Sequence, residues 1–427
     1  MARIFSLKAR EILDSRGLPT LEVDAWLTDG AFGRASVPSG KSTGSKEAAE
    51  WRDGDPQRFD GKGVLGAVRH VEEILLPALR DMDAADQSAL DARLIQADGT
   101  ADKRRLGANA ILGCSLAAAR AAARSRGVPL ARHLADLYGA GEQVFPIPMM
   151  NVINGGKHAD SGISTQEFML VPHGAADIAE AVRMGAETYR ALQGTLEKMG
   201  YRVAVGDEGG FAPHLRSTEE ALAALTAAIE TAGYRPGEDI SLALDFAAND
   251  FFRNGRYAFE GHDWTADGMT EYCADLAVRF PIVSVEDGLA EDDWTGWAGH
   301  TERLKAAGLQ CVGDDIFVTN AEIFKQGIAR GIANAILIKL NQIGTVTETF
   351  AALRLAQESG YGTVISHRSG ETSDAFIADL AVATGAGQIK AGAPARGERV
   401  AKYNQLLRLR EELPNVALAR NVYPVRR

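Results

Sequence analysis

From Gln166 onward the chain keeps returning to one pattern, a short apolar run adjoining polar or charged residues and followed by a helix-like stretch. The runs are Gln166-Glu-Phe-Met-Leu, Arg202-Val-Ala-Val-Gly-Asp-Glu208, Leu242-Ala-Leu-Asp245, Ile282-Val-Ser-Val-Glu286 and Gln310-Cys-Val-Gly-Asp314, then Ala335-Ile-Leu-Ile-Lys339, Thr363-Val-Ile-Ser-His367 and Gln388-Ile-Lys390. From Glu286 on, their ends fall 28, 25, 28 and 23 residues apart. Helix-like segments such as 319–328 and 345–359 fill the gaps, which is the rhythm of consecutive βα units. Eight runs within about 280 residues predict an α/β chain closing as a (β/α)8 barrel rather than an open doubly wound sheet. No GxGxxG follows the first strand, which argues against dinucleotide binding.

The first ~135 residues read differently. Phe5 to Asp14 and Leu21 to Thr28 have the partial alternation of strands, with the turn signal Asp29-Gly30 after the second. Val64 to Leu79 and Asn109 to Ala123 read as helices, the latter stopped by Gly127-Val128-Pro129. A smaller α+β domain over 1–135 is therefore expected ahead of a catalytic barrel over 136–427.

Charge and cysteine usage narrow the function classes. A net charge of −11 disfavours a nucleic-acid groove or an anionic membrane surface, while a small anionic substrate in a local basic pocket stays open. The three cysteines, Cys114, Cys273 and Cys311, form no CxxC pair, so buried thiols in a reducing cytoplasm are expected. No apolar signal segment opens the chain. Its most alanine-rich stretch carries Arg120 and Arg124, so no membrane span is expected.

In a barrel, residues at the C-terminal strand ends converge on one face. Asp245, Glu286 and Asp314 end three consecutive runs, and clustered acids repel unless a cation lies among them; all-oxygen ligation suits Mg2+ or Mn2+ better than zinc. Acids in such places otherwise simply cap βα loops. Lys339 would be a lysine inside the barrel beside that metal, where desolvation and cation repulsion lower its pKa into the range of a usable base. Arg368 and Lys390 add charge for a phosphate or carboxylate. Glu208, in Gly206-Asp-Glu-Gly-Gly210, and Glu167 are proton-donor candidates if their surroundings raise a pKa. His158 and His367, taken singly, read more simply as hydrogen-bonded structural residues. Together these groups suggest proton abstraction beside a carboxylate, with a metal-stabilised enolate.

One motif points elsewhere. Ala35-Ser-Val-Pro-Ser-Gly-Lys-Ser42 satisfies a relaxed P-loop pattern, but Pro38 lies inside the loop and Thr43-Gly44 interrupts the helix start a nucleotide hydrolase needs. A mobile lid over an active site accounts better for this Ser/Gly-rich stretch.

Several blocks resemble the enolase family along nearly the whole chain: Ala9-Arg-Glu-Ile-Leu-Asp-Ser-Arg-Gly, Val37-Pro-Ser-Gly, Gly206-Asp-Glu-Gly-Gly, Val285-Glu-Asp-Gly, Gly313-Asp-Asp-Ile-Phe-Val-Thr-Asn and Ile338-Lys-Leu-Asn-Gln-Ile-Gly. The most specific are Ser366-His-Arg-Ser-Gly-Glu-Thr and Gln388-Ile-Lys-Ala-Gly-Ala-Pro-Ala-Arg. The resemblance implies dehydration of 2-phosphoglycerate to phosphoenolpyruvate with two Mg2+ ions per site. On it, Asp245, Glu286 and Asp314 hold the first ion, and Ser39 holds the second when its loop closes. Lys339 takes the C2 proton, Glu208 with Glu167 beside it assists loss of the C3 hydroxyl, and His158 sits on another closing loop. Arg368 and Ser369 bind the phosphate, Lys390 binds the carboxylate, and His367 and Ser39 are counted among the substrate-binding residues. A homo-oligomer, dimeric or larger, and departure of the first barrel units from simple βα order are also implied. The chain departs from the family pattern at Leu18, at Lys41 in the lid and at Ser161-Gly162. The two loop changes leave open a paralogue acting on a phosphonate or carboxylated analogue of 2-phosphoglycerate.

Overall fold

The computed structural model describes residues 2–41, 43–139 and 142–423. Its N-terminal part is an antiparallel sheet of β1 (Ile4–Leu13), β2 (Pro19–Leu27) and β3 (Phe32–Ser36), in that order. The helix Ala108–Ser125 lies against β2 and β3 on one side and against the helices Leu340–Ile343 and Val346–Glu358 of the barrel on the other. It is buried almost all round, which is why it is so rich in alanine: small side chains let backbones approach from both sides. Gly33 shows how close that approach is, since a Cβ there would fall 2.2 Å from the Ala117 carbonyl oxygen.

Eight strands close the barrel: β4 (Ile147–Asn154), β5 (Glu167–Val171), β6 (Ser241–Asp245), β10 (Ile282–Glu286), β11 (Gln310–Gly313), β12 (Ala335–Ile338), β13 (Gly362–Ser366) and β14 (Gly387–Lys390). A small meander of β7 (Phe252–Arg253), β8 (Arg256–Phe259) and β9 (His262–Trp264) projects after β6. Around the ring β5 is antiparallel to both of its neighbours, β4 and β6, and all other pairs are parallel. The expected irregularity of the first units is therefore present. It has a consequence for the site: the start of β5, not its end, lies on the face formed by the C-terminal ends of the other strands.

Seven of the eight runs named above are barrel strands; Arg202 to Glu208 is not. That segment is partly exposed, Val205 to 47%, and among the described residues it joins a ladder at one isolated bridge, from Val205 to Phe211. The strand in its stead is β4, Ile-Pro-Met-Met-Asn-Val-Ile-Asn, buried at every position. A strand covered on both faces shows no alternation, and β4 also lacks the charged terminus that marks β6 and β10.

Helix starts follow their caps. Ser217 and Thr345 act as N-caps, accepting from the backbone N–H of Glu220 and Glu348, three residues on. Asn320 accepts from Glu322 and Ile323 in the same role for Ala321–Ala329. The lid sequence does not form a P-loop: β3 is antiparallel and no helix begins at Lys41, while Ser42 lies outside the described residues. Among the described residues no helix is long and apolar enough to cross a membrane.

Candidate active site

Strand register gathers the acids. Glu286 pairs with Asp245 across β10 and β6, and Asp245 pairs with Glu167 across β6 and β5. Asp314 follows β11, Lys339 follows β12, and Lys390 ends β14. One cavity at this end of the barrel is lined by His158, Glu167, Glu208, Asp245, Asp314, Lys339, His367, Arg368, Ser369 and Lys390 among others.

The acids are not arranged as an isolated carboxylate triad. Lys390 Nζ sits 2.9 Å from Glu167, 2.9 Å from Glu286 and 3.1 Å from Asp245. Asp314 turns instead to Lys339, whose Nζ lies 2.5 Å away, and to Gln342 at 2.9 Å. The groups whose ligand atoms converge within 4.8 Å are His158–Glu167–Glu208 and Asp287–Asp314–Asp315. The clustering expected of Asp245, Glu286 and Asp314 is thus corrected: they stand at neighbouring strand ends, but Lys390 joins Asp245 to Glu286 while Asp314 pairs separately with Lys339. The donor set still fits a divalent cation. One lysine faces three acids, and Glu286 Oε1 is buried without a hydrogen-bond partner. Burial, and then the neighbouring Asp245 charge, raise the Glu286 carboxyl well above the usual carboxylate range.

Lys339 also differs from expectation. Burial alone would lower its pKa, but the Asp314 carboxylate in direct contact outweighs this and holds it above the ordinary lysine value. Asp314 is correspondingly held low against its burial. Asp315 is pushed up to about 8 by burial and the adjacent Asp314. Asp287 accepts the backbone N–H groups of both Asp314 and Asp315 and so fixes the turn that carries them.

Across the cavity a second set is built largely from irregular backbone. Glu208 lies in the turn Gly206–Gly210, which folds back on the end of β4 through the Ile153–Phe211 bridge. Asn151 Nδ2 donates to Glu208 Oε2 at 2.9 Å, and His367 Nε2 lies 3.3 Å from the same oxygen. His158 Nδ1 is 3.6 Å from both Glu167 and Glu208. The two glutamates separate electrostatically. Burial and the neighbouring Glu208 charge raise Glu167 well above its ordinary value. Burial pushes Glu208 up too, but the His158 and His367 rings and the Arg399 charge prevail and hold it low.

At the rim, Arg368 pairs with Glu47 at 2.8 Å and Ser369 Oγ accepts the Lys41 backbone N–H at 2.7 Å. The lid presses closely here: a Cβ on Gly40 would fall 1.8 Å from the Arg368 guanidinium. Ser39 is not brought into the cavity. Its hydroxyl donates to Glu50 and accepts from Arg52, at 3.0 and 2.8 Å. Lys41 directs its ammonium to Asp207, 2.9 Å away. Sequence reasoning assigned nothing to Asp287, Glu47, Gln342 or Arg399. Asp287 and Gln342 lie inside quoted motif blocks; the other two gave no local signal.

Residues 4–134 match the family model described as the enolase N-terminal domain. Residues 142–422 match the one described as the enolase C-terminal TIM barrel domain.

Proposed function

The chain belongs to the enolase family, and from that premise we propose that it is a hydro-lyase converting 2-phosphoglycerate to phosphoenolpyruvate. The observation that carries the reading is topological. Lys339 follows β12 and Glu167 opens β5, and these strands stand four apart either way round the eight-strand ring. A base and an acid facing each other across one cavity suit removal of a proton and a hydroxyl from opposite sides of a substrate.

In this mechanism Arg368 and Ser369 bind the phosphate and Lys390 the carboxylate. Lys339 removes the C2 proton. The Glu208–Glu167 pair, with His158 Nδ1 3.6 Å from both, delivers a proton to the departing C3 hydroxyl. Asp245, Glu286 and Asp314 would hold Mg2+, which supplies positive charge for the carboxylate as it becomes an enolate. Engagement of Asp314 in that way would also weaken the interaction that now keeps Lys339 protonated, moving it toward a usable base. Ser39 has no part in this reading, because its hydroxyl is committed to Glu50 and Arg52.

The test is Mg2+-dependent conversion of 2-phosphoglycerate, followed by ultraviolet absorbance of the enol product. Turnover abolished by chelator is expected. No turnover in folded, Mg2+-loaded protein would overturn the reading, and turnover of a phosphonate or carboxylated analogue instead would establish a paralogue.

A further inference from the structure

Arg399, on the helix Gly397–Glu412, is fully buried, yet its nearest acid oxygen, from the adjacent Glu398, is 3.3 Å from Nε. Arginine is almost never so buried without partners. Its remaining donors go to the cavity's frame. Nη1 donates to His367 Nδ1 at 2.6 Å and to the Arg368 carbonyl at 2.7 Å. Nη2 donates to the carbonyls of Ser369 at 2.6 Å and Asp207 at 3.1 Å, and reaches Ser15 Oγ at 3.4 Å. One guanidinium thus ties three consecutive cavity residues to the turn that carries Glu208.

A guanidinium has five donors and no acceptor, and it does not deprotonate in proteins. His367 Nδ1 must therefore be the acceptor. Burial first, and Arg399 with it, keeps the ring neutral by holding its pKa to about 4 against Glu208 and Glu371. A neutral ring that accepts at Nδ1 carries its proton on Nε2, and Nε2 is the atom 3.3 Å from Glu208 Oε2. The opposite tautomer would turn a lone pair toward that carboxylate.

We propose that Arg399 is a positioning residue that fixes the Nε2–H tautomer of His367 and through it orients Glu208. Its effect on catalysis rests on the function proposed above; the tautomer does not. The test is nitrogen NMR of protein labelled with 15N-histidine, the His367 signals being assigned by their loss in His367→Gln. The Nε2–H tautomer is expected in the unaltered protein and in Arg399→Lys, which keeps a cationic donor. Arg399→Met should lose the single tautomer and lower kcat on 2-phosphoglycerate roughly 10–100-fold, with KM changing far less, and Arg399→Lys should recover part of that loss. An Nδ1–H tautomer in the unaltered protein overturns the proposal. So does an unchanged tautomer, or an unchanged kcat, in folded Arg399→Met. If Arg399→Met does not fold, the unaltered protein and Arg399→Lys decide by their tautomer. If the unaltered protein does not turn over 2-phosphoglycerate, the functional reading fails while the tautomer still tests this one.

Discussion

The two walls of the cavity are built in opposite ways. Asp245, Glu286, Asp314, Lys339 and Lys390 stand on or just beyond the C-terminal ends of barrel strands, where each backbone is fixed by neighbours on both sides. Their charges are matched by direct ion pairs between lysines and acids. His158 and Glu208 instead sit in turns, Glu167 opens the one antiparallel strand, and His367 follows β13. There, two buried acids stand beside His158 and His367 and differ in proton affinity, Glu167 held high and Glu208 held low. A wall of ladder-held ion pairs suits fixed charge that binds and stabilises an anion; a wall whose two acids differ in proton affinity suits delivery of a proton.

The largest expected effect comes from removing the base. Lys339→Ala should lower turnover roughly 10^4-fold, near the upper end for general acid–base groups, and abolish exchange of the C2 hydrogen with deuterated solvent. Mg2+ binding, followed by calorimetry, should persist because the acids stay in place. Retained C2 exchange would remove Lys339 from the role.

A smaller loss tests the opposite wall. Glu208→Gln and Glu167→Gln should each reduce kcat by roughly 10^2–10^3-fold. Both should keep C2 exchange, because proton abstraction belongs to the other wall. If either variant also stops exchange, the walls do not divide the chemistry. If only one lowers kcat, that glutamate alone is the acid. The raised carboxyl of Glu167 and the lowered one of Glu208 make the comparison informative whichever way it falls.

The same contrast explains what could be read from the sequence. On the ladder-held wall the apolar runs end one after another in the residues that matter, so counting runs located Asp245, Glu286, Asp314, Lys339 and Lys390. It could not tell that Lys390 reaches back between Asp245 and Glu286, because side-chain reach across a barrel is absent from spacing. On the opposite wall counting reached Glu167 and His367, whose runs are barrel strands, and failed at Glu208. The run ending at Glu208 is an irregular, partly exposed segment, and the strand beside it, β4, is buried throughout and ends in no charged residue. Glu208 was legible only through its glycines and the family motif. Arg399 gave no signal, since an arginine in a helix reads as surface until the fold buries it.

The smallest effect concerns the lid, where Lys41 departs from the family pattern and brings a cation to the cavity rim. Its ammonium pairs with Asp207, and the two side chains are 43% and 28% exposed. Partly exposed pairs of this kind are worth roughly 0–1 kcal/mol. The interaction joining the lid to Ser369 is made by the Lys41 backbone N–H, which any residue but proline supplies. Lys41→Ala should therefore change kcat/KM for 2-phosphoglycerate by no more than about fivefold. It should also weaken the response of kcat/KM to added salt, since a screened ion pair has been removed. A loss of a hundredfold or more would mean that Lys41 leaves Asp207 and meets the substrate when the lid is loaded. The paralogue reading would then regain its strongest support, with selectivity for an analogue carrying extra negative charge as the property to measure next. ATP binding that disappears with the same substitution would instead revive the P-loop, against a geometry in which the strand before it is antiparallel and no helix follows.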